Sequence, residues 1–182
     1  GKSTLLRVLA RVYNPPPGTV FVDGVDVREL DLNGWRERLS YVPQRAFLFS
    51  ESLSANILLG SQDNDVLRRV VDCTALGPDV EVLPNGLETE VGEAGLMLSG
   101  GQRQRTALAR GLARDHRVLF LDDVLSAVDH ETEDKLIRSI REYGVKPTTV
   151  IVAHRVSALQ HADHIVVMDA GTVRDQGTHA QL

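Results

Sequence analysis

The chain has 182 residues, 42% hydrophobic and 25% charged, with a formal net charge of −5, which suits one globular domain or one domain with a subdomain. The acidic balance argues against a general nucleic-acid surface, and 4% aromatic content argues against a stacking platform for single strands. No apolar run reaches the roughly 18–20 residues that cross a bilayer, no signal peptide is evident, and the single Cys73 excludes an intrachain disulfide, so a reducing, cytosolic setting is expected.

The sequence opens on GKSTLLRVLA without an initiating methionine, as a segment of something longer would. Leu5, Leu6 and Leu9, with Arg7 and Arg11 between and beyond them, predict a short helix that Pro15-Pro16-Pro17-Gly18 ends. Strand-like residues around Asp23-Gly24 predict a hairpin, and LSYVPQ, Leu39 to Gln44, predicts a strand that runs into a loop at Pro43. From Arg45 to about Asp115 helical spacings take over, with Val66, Val70, Val71 and Ala75 expected on one face and Pro78 and Pro84 as punctuation. Strands return at Val118–Leu121 and Thr148–Ala153, both apolar enough to be buried on two faces. Two more short strands are expected around Ala170-Gly171, and helices at Glu131–Tyr143 and Ser157–Ala162. The alternation implies an α/β sheet with right-handed crossovers and an inserted helical block.

Three motifs carry chemistry. Gly1-Lys2-Ser3-Thr4 matches the second half of a phosphate-binding loop: backbone N–H groups wrap phosphates, the lysine reaches the β- and γ-phosphates, and the hydroxyl binds Mg²⁺. RVLFLDD is an apolar strand that ends in carboxylates, where open α/β sheets place their ligands, and Asp122 is the acid expected to hold Mg²⁺. In LSGGQRQR, from Leu98, capping by Ser99 explains a serine but not two glycines. Gly100 and Gly101 at a helix start leave N–H groups open to an anion. The chain therefore carries two phosphate-reading surfaces, and one nucleotide shared between two subunits uses both.

LSGGQ before a helix, VLFLDD, SAVD and an isolated AH after a strand, in that order, resemble the nucleotide-binding domain of an ABC transporter over essentially the whole chain. The resemblance implies a P-loop NTPase-type α/β fold, mostly parallel, with antiparallel strands near the N-terminus and an inserted helical subdomain. Residues 1–44 and 116–182 would form the RecA-like core and 45–115 the helical subdomain. ATP and Mg²⁺ are the implied cofactors. Gly1, Lys2, Ser3 and Thr4 match the end of the Walker A motif. Gln44 resembles the Q-loop glutamine, which senses Mg²⁺ and the attacking water and links to the membrane domain. Ser99, Gly100, Gly101 and Gln102 match the signature motif, which contacts the γ-phosphate of the opposite subunit's ATP. Asp122 matches the Walker B aspartate, a metal holder with Ser3 and Gln44. Ser126-Ala127-Val128-Asp129 resembles the D-loop, which brings Asp129 to the dimer interface, and His154 matches the switch histidine. TEVGEAG, Thr89–Gly95, resembles the exporter loop that touches coupling helices, with Ala94 where an arginine is usual; FLFSESLSANILLG is also exporter-like.

The implied partners are a second nucleotide-binding domain and transmembrane domains at the cytoplasmic face of a membrane, with no nucleic acid. At the catalytic base the chain departs from the family, because Asp123 stands where glutamate is usual. The shorter carboxylate withdraws by roughly 1 Å, a misplacement that costs about 10²-fold. Exporters of two unlike subunits often carry such a change in one half, so a heterodimer with this chain as its degenerate half is favoured over a homodimer. The glycine-rich start of the phosphate loop, the strand before it and the adenine-stacking aromatic are absent from the sequence, so this segment alone is expected to bind ATP poorly and to expose a sheet edge. A soluble ABC-type ATPase acting on DNA or ribosomes, and a non-hydrolysing regulatory half, are the alternatives.

Overall fold

Helix α1 (Lys2–Leu9) starts at Gly1 without a side-chain cap, and the chain leaves it through Arg11, whose φ of 53° is left-handed. In the computed structural model, which describes residues 1–92, 97–126, 128–143 and 147–182, β1 (Phe21–Val22) and β2 (Val25–Asp26) form the expected hairpin. Asp23 and Gly24 both take positive φ, 50° and 82°, as a two-residue primed turn requires. A helix that the apolar spacing does not announce, α2 (Leu32–Glu37), follows: Asp31 caps it by accepting from the Gly34 N–H at 2.6 Å, and Trp35 is buried beneath it.

After β3 (Leu39–Val42) come α3 (Leu53–Leu58), α4 (Asn64–Cys73), α5 (Gly77–Val82), a 3-10 turn at Gly86–Glu88 and α6 (Gly100–Ala113). On α4 the buried face is Leu67, Val70, Val71 and Cys73. Val66 is only half-buried, and Ala75 lies beyond the helix end at a φ of 52°, so the expected face is turned by one position. Burial pushes the Cys73 thiol up to about 11, which leaves it inert as a nucleophile at neutral pH.

The chain then forms β4 (Val118–Asp122), α7 (His130–Glu142), β5 (Thr148–Val152), a single 3-10 turn at Ser157–Leu159 and the antiparallel pair β6 (Ile165–Asp169) and β7 (Thr172–Gly177). The helix expected over Ser157–Ala162 is thus reduced to that turn.

Strands β3, β4 and β5 make a parallel sheet in the order β3-β4-β5, with Tyr41, Phe120 and Val150 level across it. Period-two alternation sorts the side chains. Leu39 and Phe120 face α1 and α2 and pack with Leu6, Ala10, Val27 and Trp35, while Val42, Leu119 and Leu121 face the helices on the other side. β4, in the middle, is buried over Leu119–Asp122 as expected. β5 is not: Thr148 and Thr149 are exposed and the rest half-buried, because among the described residues it is bonded on one side only and its faces are incompletely covered. No described helix is long and apolar enough to cross a membrane.

Helix α6 lies close on β3 at Gly111, whose carbonyl accepts from Ser40 Oγ at 2.8 Å. A Cβ there would meet Val42 Cγ2 at 2.6 Å. Val42 is buried and β-branched, so it cannot swing aside. Gly111→Ala is expected to destabilise the fold by about 1–3 kcal/mol, the range for overpacking, measured by denaturant unfolding.

Candidate functional site

All three parallel strands end at one edge, and that fixes the site. Gln44 lies two residues past β3, Asp122 ends β4 with Asp123 directly after it, His154 lies two residues past β5, and α1 begins among them. Ser3 Oγ donates to Asp122 Oδ1 at 2.8 Å, and the Tyr41 hydroxyl donates to Asp122 Oδ2 at 2.9 Å. Gln44 Nε2 donates to Asp123 Oδ2 at 2.9 Å, and His154 Nε2 stands 4.0 Å from the same oxygen. Lys2 Nζ donates to the Ala153 carbonyl at 3.1 Å and lies 3.5 Å from His154 Nδ1. Asp122 and Asp123 are both buried, at 1% and 8% exposure, so this edge holds two adjacent carboxylates away from bulk water. Asp123 also has a φ of 53°, a left-handed conformation that aspartate tolerates better than most residues. Burial, and then the bond to Asp122, raise the Tyr41 phenol above its ordinary value, with Arg7 opposing. Gly1 and Thr4 are exposed at the open start of α1.

A hydroxyl and a buried carboxylate in mutual contact are hard oxygen donors, and the Gln44 amide beside them carries another. Mg²⁺ uses one or two such protein groups and fills its remaining positions with water and substrate phosphate, so Ser3, Asp122 and Gln44 fit it.

Ser99–Gln102 form a second group, tied to one another. The Ser99 hydroxyl accepts from the Gln102 N–H at 3.2 Å, and Gln102 Oε1 accepts from the Ser99 N–H at 2.8 Å, a reciprocal cap. Gln102 Nε2 then donates to Asp79 Oδ1 on α5 at 2.9 Å, and Arg105 bonds the other oxygen of the same carboxylate. A Cβ on Gly100 would meet nothing within 4 Å, so internal packing does not demand glycine there. What the glycine leaves is bare backbone at a helix N-terminus, approachable from outside.

Asp129 caps α7 through the Thr132 N–H at 2.9 Å, a bond that holds its carboxyl below the ordinary value. Arg155, next to His154, donates to Glu133 Oε2 at 3.0 Å and to the Val128 carbonyl at 3.3 Å, joining the loop after β5 to the start of α7. Glu93, Ala94 and Gly95 of the TEVGEAG segment and Ala127 of SAVD lie outside the described residues.

The sequence profile of the family described as ABC transporter matches residues 1–126. The chain belongs to the ABC transporter family. A probable multidrug resistance ABC transporter ATP-binding/permease protein, YheI of Bacillus subtilis, is 44% identical over the whole chain, which spans 32% of that protein. The mitochondrial iron-sulfur clusters transporter ATM1 of Candida glabrata is 42% identical over the whole chain, which spans 26% of it. A solved structure of a bacterial Atm1-family ABC exporter with ATP bound superposes on the whole chain with a TM-score of 0.93 at 36% identity, and the chain covers 32% of it. The chain thus spans about a third or less of these ABC relatives, and its fold is that of an ABC exporter nucleotide-binding domain.

Sequence reading missed Tyr41, Asp79 and Arg155. The signal for Tyr41 was present but needed the strand register: it is level with Phe120, so it lies diagonally across from Asp122 on one sheet face.

Proposed function

We propose that this chain is the ATP-binding and ATP-hydrolysing motor domain of an ABC exporter, working at the cytoplasmic face of a membrane through transmembrane domains. The single observation that carries this reading is the meeting of Lys2, Ser3, Gln44, Asp122, Asp123 and His154 at one edge of the sheet. Residues 1–44 and 116–182 act as the RecA-like core and 45–115 as the helical subdomain. The triphosphate sits on the uncapped start of α1, at Gly1 to Thr4, where helix N–H groups and the dipole favour anions. Lys2 moves from the Ala153 carbonyl to the phosphates, and Ser3, Asp122 and Gln44 would hold Mg²⁺, which would supply positive charge to the triphosphate. Gln44 and His154 orient a water against Asp123. The water oxygen attacks the γ-phosphorus, the bond to the bridging oxygen breaks, and Asp123 takes the proton.

Ser99, Gly100, Gly101 and Gln102 complete the site of a second nucleotide-binding domain, and Asp129 lies at the dimer interface. Asp123 favours a heterodimer in which this chain's own site is the slow one. The same residue supports a second reading, a regulatory half that binds ATP without turnover. Phe47 and Phe49, edge to face at 5.2 Å and half exposed just beyond Gln44, supply an aromatic ledge of the kind a protein partner covers, which supports membrane-domain contact near the Q-loop. The transported substrate is chosen by the membrane domain.

Ser99→Arg in the full-length protein tests the borrowed site. ATP binding by this chain is expected to stay within about twofold, whereas total hydrolysis of the assembled protein falls at least about tenfold, because the arginine blocks a phosphate held by the partner. Unchanged hydrolysis, or lost binding with lost hydrolysis, overturns the shared arrangement.

A further inference from the structure

We infer that Tyr41 is a positioning residue that holds Asp122 with one carboxylate oxygen turned toward the metal. The inference rests on reading Asp122 as the metal-holding carboxylate. Tyr41 is level with Phe120 in the register of β3 and β4, and Asp122 is two residues further along the same face, within diagonal reach of a long aromatic side chain.

The two oxygens of Asp122 are divided. Oδ1 faces α1 and accepts from Ser3 at 2.8 Å, and Oδ2 accepts from Tyr41 at 2.9 Å. The tyrosine is itself held through its ring. Its ring meets Phe120 edge-on at 6.4 Å.

A carboxylate with both oxygens loose rotates about its Cβ–Cγ bond and can chelate with both. Pinning Oδ2 leaves Oδ1 as the single oxygen beside the Ser3 hydroxyl, which is the monodentate arrangement that strict octahedral geometry at Mg²⁺ favours. Partners of this kind are worth about 10- to 100-fold in metal affinity.

The test uses the full-length protein with Mn²⁺ as probe. Tyr41→Phe keeps the ring against Phe120 and removes only the hydroxyl. Bound Mn²⁺ is read by electron paramagnetic resonance in the presence of a non-hydrolysable ATP analogue. About a tenfold rise in the Mn²⁺ dissociation constant is expected, with analogue affinity in excess EDTA and the unfolding midpoint unchanged. Asp122→Asn, run in parallel, is expected to lose the Mn²⁺ signal altogether. Should Tyr41→Phe leave Mn²⁺ affinity within about twofold while Asp122→Asn abolishes it, the positioning role of Tyr41 is overturned and the metal site stands. Should Asp122→Asn bind Mn²⁺ as the parent does, the reading of Asp122 falls and the inference with it. A loss of metal-free analogue binding in Tyr41→Phe overturns the inference in favour of plain packing.

Discussion

Lys2→Ala in the full-length protein is expected to lower the ATP turnover of this chain's site by about 10²- to 10³-fold, with nucleotide affinity falling less. Lys2 is the first residue of α1, and its ammonium rests on a neutral carbonyl, Ala153 O, beside the His154 ring. No ion pair among the described residues includes it. Moving to a phosphate oxygen exchanges a neutral acceptor for an anionic one, and charge-assisted bonds are roughly twice as strong as neutral ones. The exchange gains most when negative charge builds on the transferred phosphoryl group, which is why turnover falls further than affinity. Alanine is the best helix former, and the lysine side chain is only half-buried, so α1 itself should survive. Turnover is checked by phosphate release at saturating ATP in the Ser99→Arg background, where the partner's site is silenced, with the unfolding midpoint as control. A drop of less than about tenfold places the lysine away from the transferred phosphate.

The parts of the site that sequence reading reached are those where a motif sits at a strand end. Val118–Leu121 is apolar throughout, so the strand and its terminal carboxylates could be read together, and parallel strands then oblige Gln44, Asp122 and His154 to share an edge. The parts it missed depend on something other than local pattern. Helix α2 is six residues long with a glycine inside, too short for a helical period to register, and only the Asp31 cap announces it. The Tyr41–Asp122 bond needs the register of two strands 81 positions apart, and Asp79 reaches Gln102 only because α5 packs beside the start of α6. β5 misled in the opposite direction. An apolar run marks a strand buried on both faces only when neighbours cover it, and Thr148 and Thr149, exposed at its start, were the contrary signal.

Asp123→Glu is expected to raise the turnover of this chain's own site, by up to about 10²-fold if a methylene of reach is all that is lacking. The present carboxylate is short of neither partners nor burial. Gln44 Nε2 holds Oδ2 at 2.9 Å, His154 Nε2 is 4.0 Å away, and the residue is 8% exposed. The limitation proposed for it is position, since the side chain springs from a left-handed backbone at φ 53° anchored by its own N–H to the Val152 carbonyl at 3.0 Å. An extra methylene carries the oxygen outward from that fixed root by about 1 Å. The substitution works against stability, because aspartate suits the left-handed region better than glutamate, at a cost of the order of 1 kcal/mol. Faster chemistry with a lower unfolding midpoint is therefore the expected pair of results. If the assembly is a heterodimer, its competent site masks the change. The measurement belongs in the Ser99→Arg background, where the site completed by this chain's signature motif is silenced and the residual phosphate release reports the site of Asp123 alone. Residual turnover that stays level there shows that the shorter carboxylate does not limit this site, and the second reading, a half that binds ATP to regulate its partner, gains the ground that hydrolysis loses.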